Sequence, residues 1–224
     1  MAQILAKSKR ATKSIINKPN KQRKEKEVER PPLPDFECRI AVLGYEGAGK
    51  SNLIQRWCTG EYVGEFDPTL EDYYNKQIVS EGRSIRMEVH DTVYNEYGMS
   101  GRSYYSVKMF VIALPVTDCD PSFDLQSLAA SILRLKDSDS YPYCFLVATK
   151  ADVDEKKRGF SPAEGQALAD SFGWKYFETS AKEGTGVSEL FDGIAAMTTQ
   201  LQIDQMLQAR KFNKRRSAKT CEIL

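Results

Sequence analysis

Gly44-Tyr45-Glu46-Gly47-Ala48-Gly49-Lys50-Ser51 is the stretch on which the reading of this chain turns. It fits the spacing G-x-x-x-x-G-K-[S/T] and lies between a short apolar run, Ile40-Ala41-Val42-Leu43, and a helix-like run from Asn52 to Trp57. A glycine-rich turn between strand and helix gathers backbone N–H groups around one point. The helix behind it adds the positive end of its dipole, and together they hold a phosphate. Lys50 is placed to neutralise the outer phosphates of a nucleotide, and the Ser51 hydroxyl is a hard oxygen ligand suited to Mg2+. Gly44, Glu46, Gly47, Ala48 and Gly49 complete the candidate cradle. The bland alternative is a solvated glycine turn with a stray lysine, which has no need of the strand before it or the helix after it.

Working outward, strand patterns alternate with helix patterns. Ile85, Met87 and Val89 alternate with Arg86, Glu88 and His90, a strand with one apolar face, and Ser80-Glu81-Gly82-Arg83 reads as the hairpin turn before it. Met109 to Leu114 and Cys144 to Ala148 are continuous apolar runs of buried-strand length. Asp120-Pro121 reads as an N-cap with proline at the first helical position, and Ser161-Pro162-Ala163-Glu164 as a capping box. Val187, Leu190, Phe191, Ile194, Met197 and Leu201 form the stripe of a long final helix. The alternation predicts an α/β fold with a mostly parallel sheet.

The 224 residues suffice for one ordinary domain with tails, and 41 % hydrophobic content supplies a core. Five scattered cysteines without a C-x-x-C pair, and a single histidine, argue against a disulfide framework or structural zinc and for a reducing cytosol. The net charge of +1 conceals a partition. Residues 1–34 carry ten Lys/Arg against three Glu (+7), residues 208–224 carry six against one (+5), and residues 35–207 carry 16 against 27 (−11). The expected organisation is therefore a basic, disordered arm over 1–34, a globular domain over 35–207 and a polybasic tail over 208–224. The arm lacks the apolar core of a signal peptide, and Ala2 in place of glycine points away from myristoylation. Basic ends suit anionic membrane lipids or nucleic acid, but no aromatic residues interleave as single-strand stacking would need, so no nucleic acid partner is expected.

Four further segments fall in a telling order: Phe66-Asp67-Pro68-Thr69, Asp91-Thr92, Thr149-Lys150-Ala151-Asp152 and Glu178-Thr179-Ser180-Ala181-Lys182, with Cys221-Glu222-Ile223-Leu224 behind them. Together with the phosphate loop they resemble a Ras-superfamily small GTPase over residues 36–207 plus the tail. Leu70-Glu71-Asp72-Tyr73-Tyr74 is most similar to the Ras branch. The resemblance implies the P-loop small GTPase fold, a mostly parallel six-stranded sheet flanked by helices, with GTP/GDP as ligand and Mg2+ as cofactor. It implies that Asp152 accepts hydrogen bonds from guanine N1–H and N2–H2, a donor pair adenine lacks. It further implies that Ala181, within Ser180-Ala181-Lys182, gives its N–H to guanine O6, that Lys150 and Lys182 flank the ring, and that Tyr62 stacks on it. Thr149 stands where asparagine is usual; threonine occurs there in the Rho branch, so guanine binding is expected to survive. Ser51, Thr69 and, through water, Asp91 would form the magnesium site, Thr69 binding only when a γ-phosphate draws its loop in.

The pattern breaks at the second switch, where the family's D-T-A-G-Q-E is Asp91-Thr92-Val93-Tyr94-Asn95-Glu96. The lost glycine removes a backbone freedom that lets an N–H turn toward the γ-phosphate. Asn95 replaces the water-positioning glutamine and is one methylene shorter; a displacement of about 1 Å costs on the order of a hundredfold in rate. Glu46 occupies a loop position where the Ras branch has glycine, crowding the place of an arginine finger that contributes roughly 10³–10⁵ in rate in Ras itself. Weak hydrolysis, intrinsic and stimulated, is the expectation; the alternative is a solvent-facing Glu46 and ordinary turnover.

Cys221 resembles a prenylation site, its terminal leucine favouring geranylgeranyl, although Glu222 is not the aliphatic residue the box prefers. Arg210, Lys211, Lys214, Arg215, Arg216 and Lys219 precede it and add attraction to an anionic leaflet, so the cytoplasmic face of a membrane, above all the plasma membrane, is the expected location. The resemblance makes Phe66, Asp67, Pro68, Thr69, Leu70, Glu71, Asp72, Tyr73 and Tyr74 the effector region, whose acids call for effectors with a basic docking surface. It also implies exchange factors and GTPase-activating proteins as partners. The expected function is a membrane-anchored, Ras-type guanine-nucleotide switch with reduced GTP hydrolysis. The rivals are a pseudo-GTPase binding module locked in one nucleotide state and, behind it, a P-loop kinase or ATPase.

Overall fold

A computed structural model describes residues 36–64, 72–92, 104, 106–117, 125–134 and 142–221, with side chains as far as residue 211. Six strands form one sheet: β1 (Phe36–Leu43), β2 (Asp72–Ser80), β3 (Arg83–Asp91), β4 (Met109–Pro115), β5 (Tyr143–Thr149) and β6 (Lys175–Glu178). Their order is β2-β3-β1-β4-β5-β6; β2 runs antiparallel to β3 and every other pair is parallel. The helices are α1 (Lys50–Thr59), α2 (Leu125–Arg134), α3 (Pro162–Ser171) and α4 (Val187–Cys221), with a 3₁₀ turn at Glu155–Lys157.

The apolar runs explain the layering. Every residue of β4 is buried, because side chains on both faces of a central parallel strand meet helices. In β1, Ile40 and Val42 face one layer and Ala41 and Leu43 the other. The first layer is closed by α1 and α4, whose Trp57 and Phe191 stack with ring centroids 4.1 Å apart above Val89 and Val111. The second is closed by α2 and α3, with Leu125, Ile132 and Ala169 among Phe110, Ile112 and Leu146.

Local signals decide the element ends. Glu81 and Gly82 both have positive φ (51° and 73°), the two-residue turn that matches the twist of paired strands, and Ser80 pairs with Arg83 across it. The expected capping box forms: Glu164 N donates to Ser161 Oγ (3.3 Å), and Ser161 N donates to Glu164 Oε2 (2.8 Å). Helix α4 does not stop where its apolar stripe ends; the backbone remains helical past residue 207 through the basic segment to Cys221. No helix among the described residues is long and apolar enough to cross a membrane. The N-terminal arm and the Asp120-Pro121 helix start lie outside the described residues.

Parallel strands deliver their carboxyl ends to one edge of the sheet. Gly44 follows β1, Asp91 ends β3, Lys150 follows β5 and Thr179 follows β6. That edge is where ligands bind in open α/β sheets.

Candidate nucleotide site

The phosphate loop turns on glycines in backbone conformations that side chains rarely adopt, and at Gly44 no side chain fits. Gly44 has φ +147°, and a Cβ there would lie 2.5 Å from the Ala113 carbonyl oxygen of β4. Gly49, φ 84°, caps α1 in the left-handed conformation; no side chain caps that helix end and no acid lies in its first turn. Its leading N–H groups therefore face the loop's concavity, as an anion requires. Ala48 N donates to Tyr45 O (3.2 Å) to close the turn.

Lys50 arches back over this loop, its Nζ donating to Gly44 O (2.9 Å) and Tyr45 O (3.1 Å). Partial burial pulls its ammonium below the ordinary lysine range, while Asp91 and Glu46 hold it up. Glu46 itself is exposed at the loop's rim.

Asp91 is 1 % exposed, and neither carboxylate oxygen meets a protein donor at full hydrogen-bond geometry. Burial pushes its carboxyl above the usual range; the nearby Ser51 hydroxyl and Lys50 ammonium act the other way, and Asp72 adds to the rise. A buried acid beside the buried Ser51 hydroxyl, without a full set of protein donors on its oxygens, fits a hydrated divalent cation. Among the described residues no three His, Cys, Asp or Glu side chains converge to hold a metal by themselves. Phosphate oxygens and water would supply the other ligands, as is usual for Mg2+.

Beside the loop lies a cavity of about 180 Å³ lined by Gly49, Asn52, Leu53, Tyr62, Thr149, Lys150, Asp152, Val153, Thr179, Ala181 and Lys182. Seven residues named from sequence thus meet here: Gly49, Tyr62, Thr149, Lys150, Asp152, Ala181 and Lys182. Ser180 is not in the lining. It stands behind it, donating from Oγ to Asp152 Oδ1 at 2.7 Å, with Lys182 Nζ 4.0 Å from Oδ2. The carboxylate is thereby oriented from two sides. Ala151 N donates to Thr179 O (3.1 Å), tying the β5 and β6 loops together. Thr149, buried, donates from Oγ1 to Ala48 O at 2.6 Å, so the loop after β5 is pinned to the phosphate loop.

Asn52, Leu53, Val153 and Thr179 were not among the candidates. Asn52 and Leu53 reach the cavity from the first turn of α1, and their sequence signal is only that of a helix after a phosphate loop. Thr69, Asn95 and residues 66–71 of the effector region lie outside the described residues, as does the Cys221 side chain. The rest of that region forms the start of edge strand β2, where Asp72 opposes Asp91 and half-exposed Tyr73 stacks on His90 at 4.3 Å.

The comparisons agree with this geometry. The family model described as "Ras family" matches residues 39–200. The Ras-like protein rasS of Dictyostelium discoideum is 35 % identical over 158 residues, covering 70 % of this chain and 80 % of that protein. Phosphate loop, adjoining cavity, strand order and sequence match converge: the chain belongs to the Ras family of small GTPases, nucleotide-dependent signalling switches.

Proposed function

We propose that this Ras-family GTPase is an Mg2+-dependent GTP/GDP switch held at the cytoplasmic face of a membrane, and that its hydrolysis step is slow. The observation that carries the nucleotide reading is the joining of two half-sites. Lys50 sits over a loop of open N–H groups, Asp152 sits in the adjoining cavity, and the Thr149–Ala48 bond fixes one against the other. Lys50 would leave its two carbonyl acceptors for phosphate oxygens, a stronger charge-assisted partner. Asp152, its oxygens already aligned by Ser180 and Lys182, would accept from the guanine edge. Ser51 and, through water, Asp91 would hold the cation, with Thr69 joining them when a γ-phosphate draws its loop in; the bound cation would supply charge to screen the phosphates.

The slow step rests on Glu46 and on the composition of the second switch. The Glu46 carboxylate is exposed at the mouth of the loop and close enough to Lys50 to stabilise its charge, so an incoming arginine finger meets an acid there. Asn95 replaces the glutamine that places the attacking water, Tyr94 the glycine whose N–H turns toward the γ-phosphate, and Val93 adds branched bulk beside them. Single-turnover hydrolysis of bound GTP tests this: a slow rate in the native chain, accelerated about tenfold or more in Glu46→Gly combined with Asn95→Gln. A native rate equal to that of ordinary small GTPases contradicts it.

Anchoring is supported by the basic residues from Arg210 to Lys219, each worth about 1 kcal/mol at an anionic leaflet, with Cys221 as the lipidated residue. The acidic effector region suits partners with a basic docking surface. The second reading, a pseudo-GTPase locked in one state, draws on the same second-switch substitutions. Nucleotide extracted from the purified protein separates them, GDP indicating turnover and GTP a locked state.

A further inference from the structure

We infer that Arg56 is a positioning residue for the base-recognising carboxylate and sets how fast the nucleotide leaves. This rests on the guanine-site reading above. Arg56 lies in the last turn of α1, the helix whose first residues face the phosphates. Its guanidinium bridges two segments: one terminal nitrogen donates to Gly60 O (2.8 Å), and the other reaches Glu183 O (3.5 Å), 127 residues away.

From Glu183 a chain of hydrogen bonds runs to the base cavity. Glu183 N donates to Ser180 Oγ (3.1 Å), and Ser180 Oγ donates to Asp152 Oδ1 (2.7 Å). The turn between is closed by Gly184 N to Ser180 O (2.7 Å) and Ser180 N to Thr185 O (2.9 Å). Gly184 has φ +82°, and a Cβ there would lie 2.6 Å from an Arg56 terminal nitrogen and 2.9 Å from Nε. The guanidinium therefore lies flat on a glycine whose lack of a side chain makes room for it. One helix thus links the phosphate end of the site to the aspartate at the base end. The planar guanidinium offers two separate terminal nitrogens in a fixed fork, one for each carbonyl.

The competing role is purely structural: an arginine at a helix C-terminus satisfies a terminal carbonyl and suits the helix dipole without touching nucleotide release. The two roles separate on base identity. Inosine diphosphate lacks the guanine 2-amino group and donates only one hydrogen bond, from N1–H, to Asp152. Loss of Asp152 alignment therefore costs guanosine diphosphate more.

The test is stopped-flow release of fluorescent guanosine and inosine diphosphates from the full chain in magnesium buffer, for the native protein, Arg56→Ala and Gly184→Ala. Gly184→Ala crowds the guanidinium without removing it, while also straining its own turn at φ +82°, and serves if Arg56→Ala does not fold. Expected is guanosine diphosphate release about three- to tenfold faster in either variant, the scale of one misaligned hydrogen bond, with inosine diphosphate release changed less. Native-like release, or equal acceleration of both nucleotides with a lowered melting temperature, would overturn the inference. Failure of the native chain to retain either nucleotide would overturn instead the guanine-site reading beneath it.

Discussion

Replacing Thr149 by valine keeps the shape of the side chain and removes its hydroxyl. The bond lost is the 2.6 Å donation to Ala48 O, made between two buried residues, one ending β5 and one inside the phosphate loop. A neutral hydrogen bond contributes about 1 kcal/mol net, and a buried carbonyl left facing a methyl group costs about 1–3 kcal/mol. If about 1–2 kcal/mol of that falls on the nucleotide-bound state, GDP leaves about 5–30 times faster. Thr149→Asn, which restores the residue usual in the family, keeps a donor at the same place and should release GDP close to the native rate. Chasing a fluorescent GDP analogue with excess unlabelled GDP in magnesium buffer gives the rate, and urea unfolding of the same samples gives the stability. Native release and native stability in Thr149→Val would refute the idea that this bond couples the two half-sites.

Asp91→Asn separates binding from folding. Retention of nucleotide in magnesium should weaken about 10- to 100-fold, the usual cost of losing a group that acts through a metal-bound water. The nucleotide-free, magnesium-free protein should melt no lower than native, because a buried carboxylate without full hydrogen bonds has been neutralised; a lower melting temperature would contradict that. Glu164→Gln tests the α3 cap through pH. The Ser161 backbone and hydroxyl bonds hold the Glu164 carboxyl below its ordinary value, so its contribution is present above the unfolded-state pKa and fades as pH falls through the lower folded value. The native chain should melt higher than the variant at neutral pH, and the difference should vanish in acid; a gap independent of pH would count against the cap.

What sequence could disclose followed the range of the interactions. The phosphate loop, the Ser161 capping box and the Ser80–Arg83 turn are encoded within eight residues or fewer, and each was legible. Strands β4 and β5 were legible because burial on both faces writes an unbroken apolar run. Strand β6, four residues with no fully buried position, carries no such signature. The length of α4 was also hidden, since the apolar stripe stops near Leu201 while the helix continues on residues of good intrinsic propensity. At the site, Asp152 was found by its neighbours in the chain. That Ser180 orients it, that Thr149 reaches Ala48 and that Arg56 reaches Glu183 are facts of tertiary placement that no local spacing announces.

The most direct test of the whole account is a titration of the nucleotide-depleted chain with fluorescent GDP and ADP analogues, with magnesium and with chelator. The account predicts tight GDP binding that weakens when magnesium is removed, weak or no ADP binding, and loss of GDP preference in Asp152→Ala. Equal affinity for the two purines, or GDP binding indifferent to both magnesium and Asp152, would contradict it.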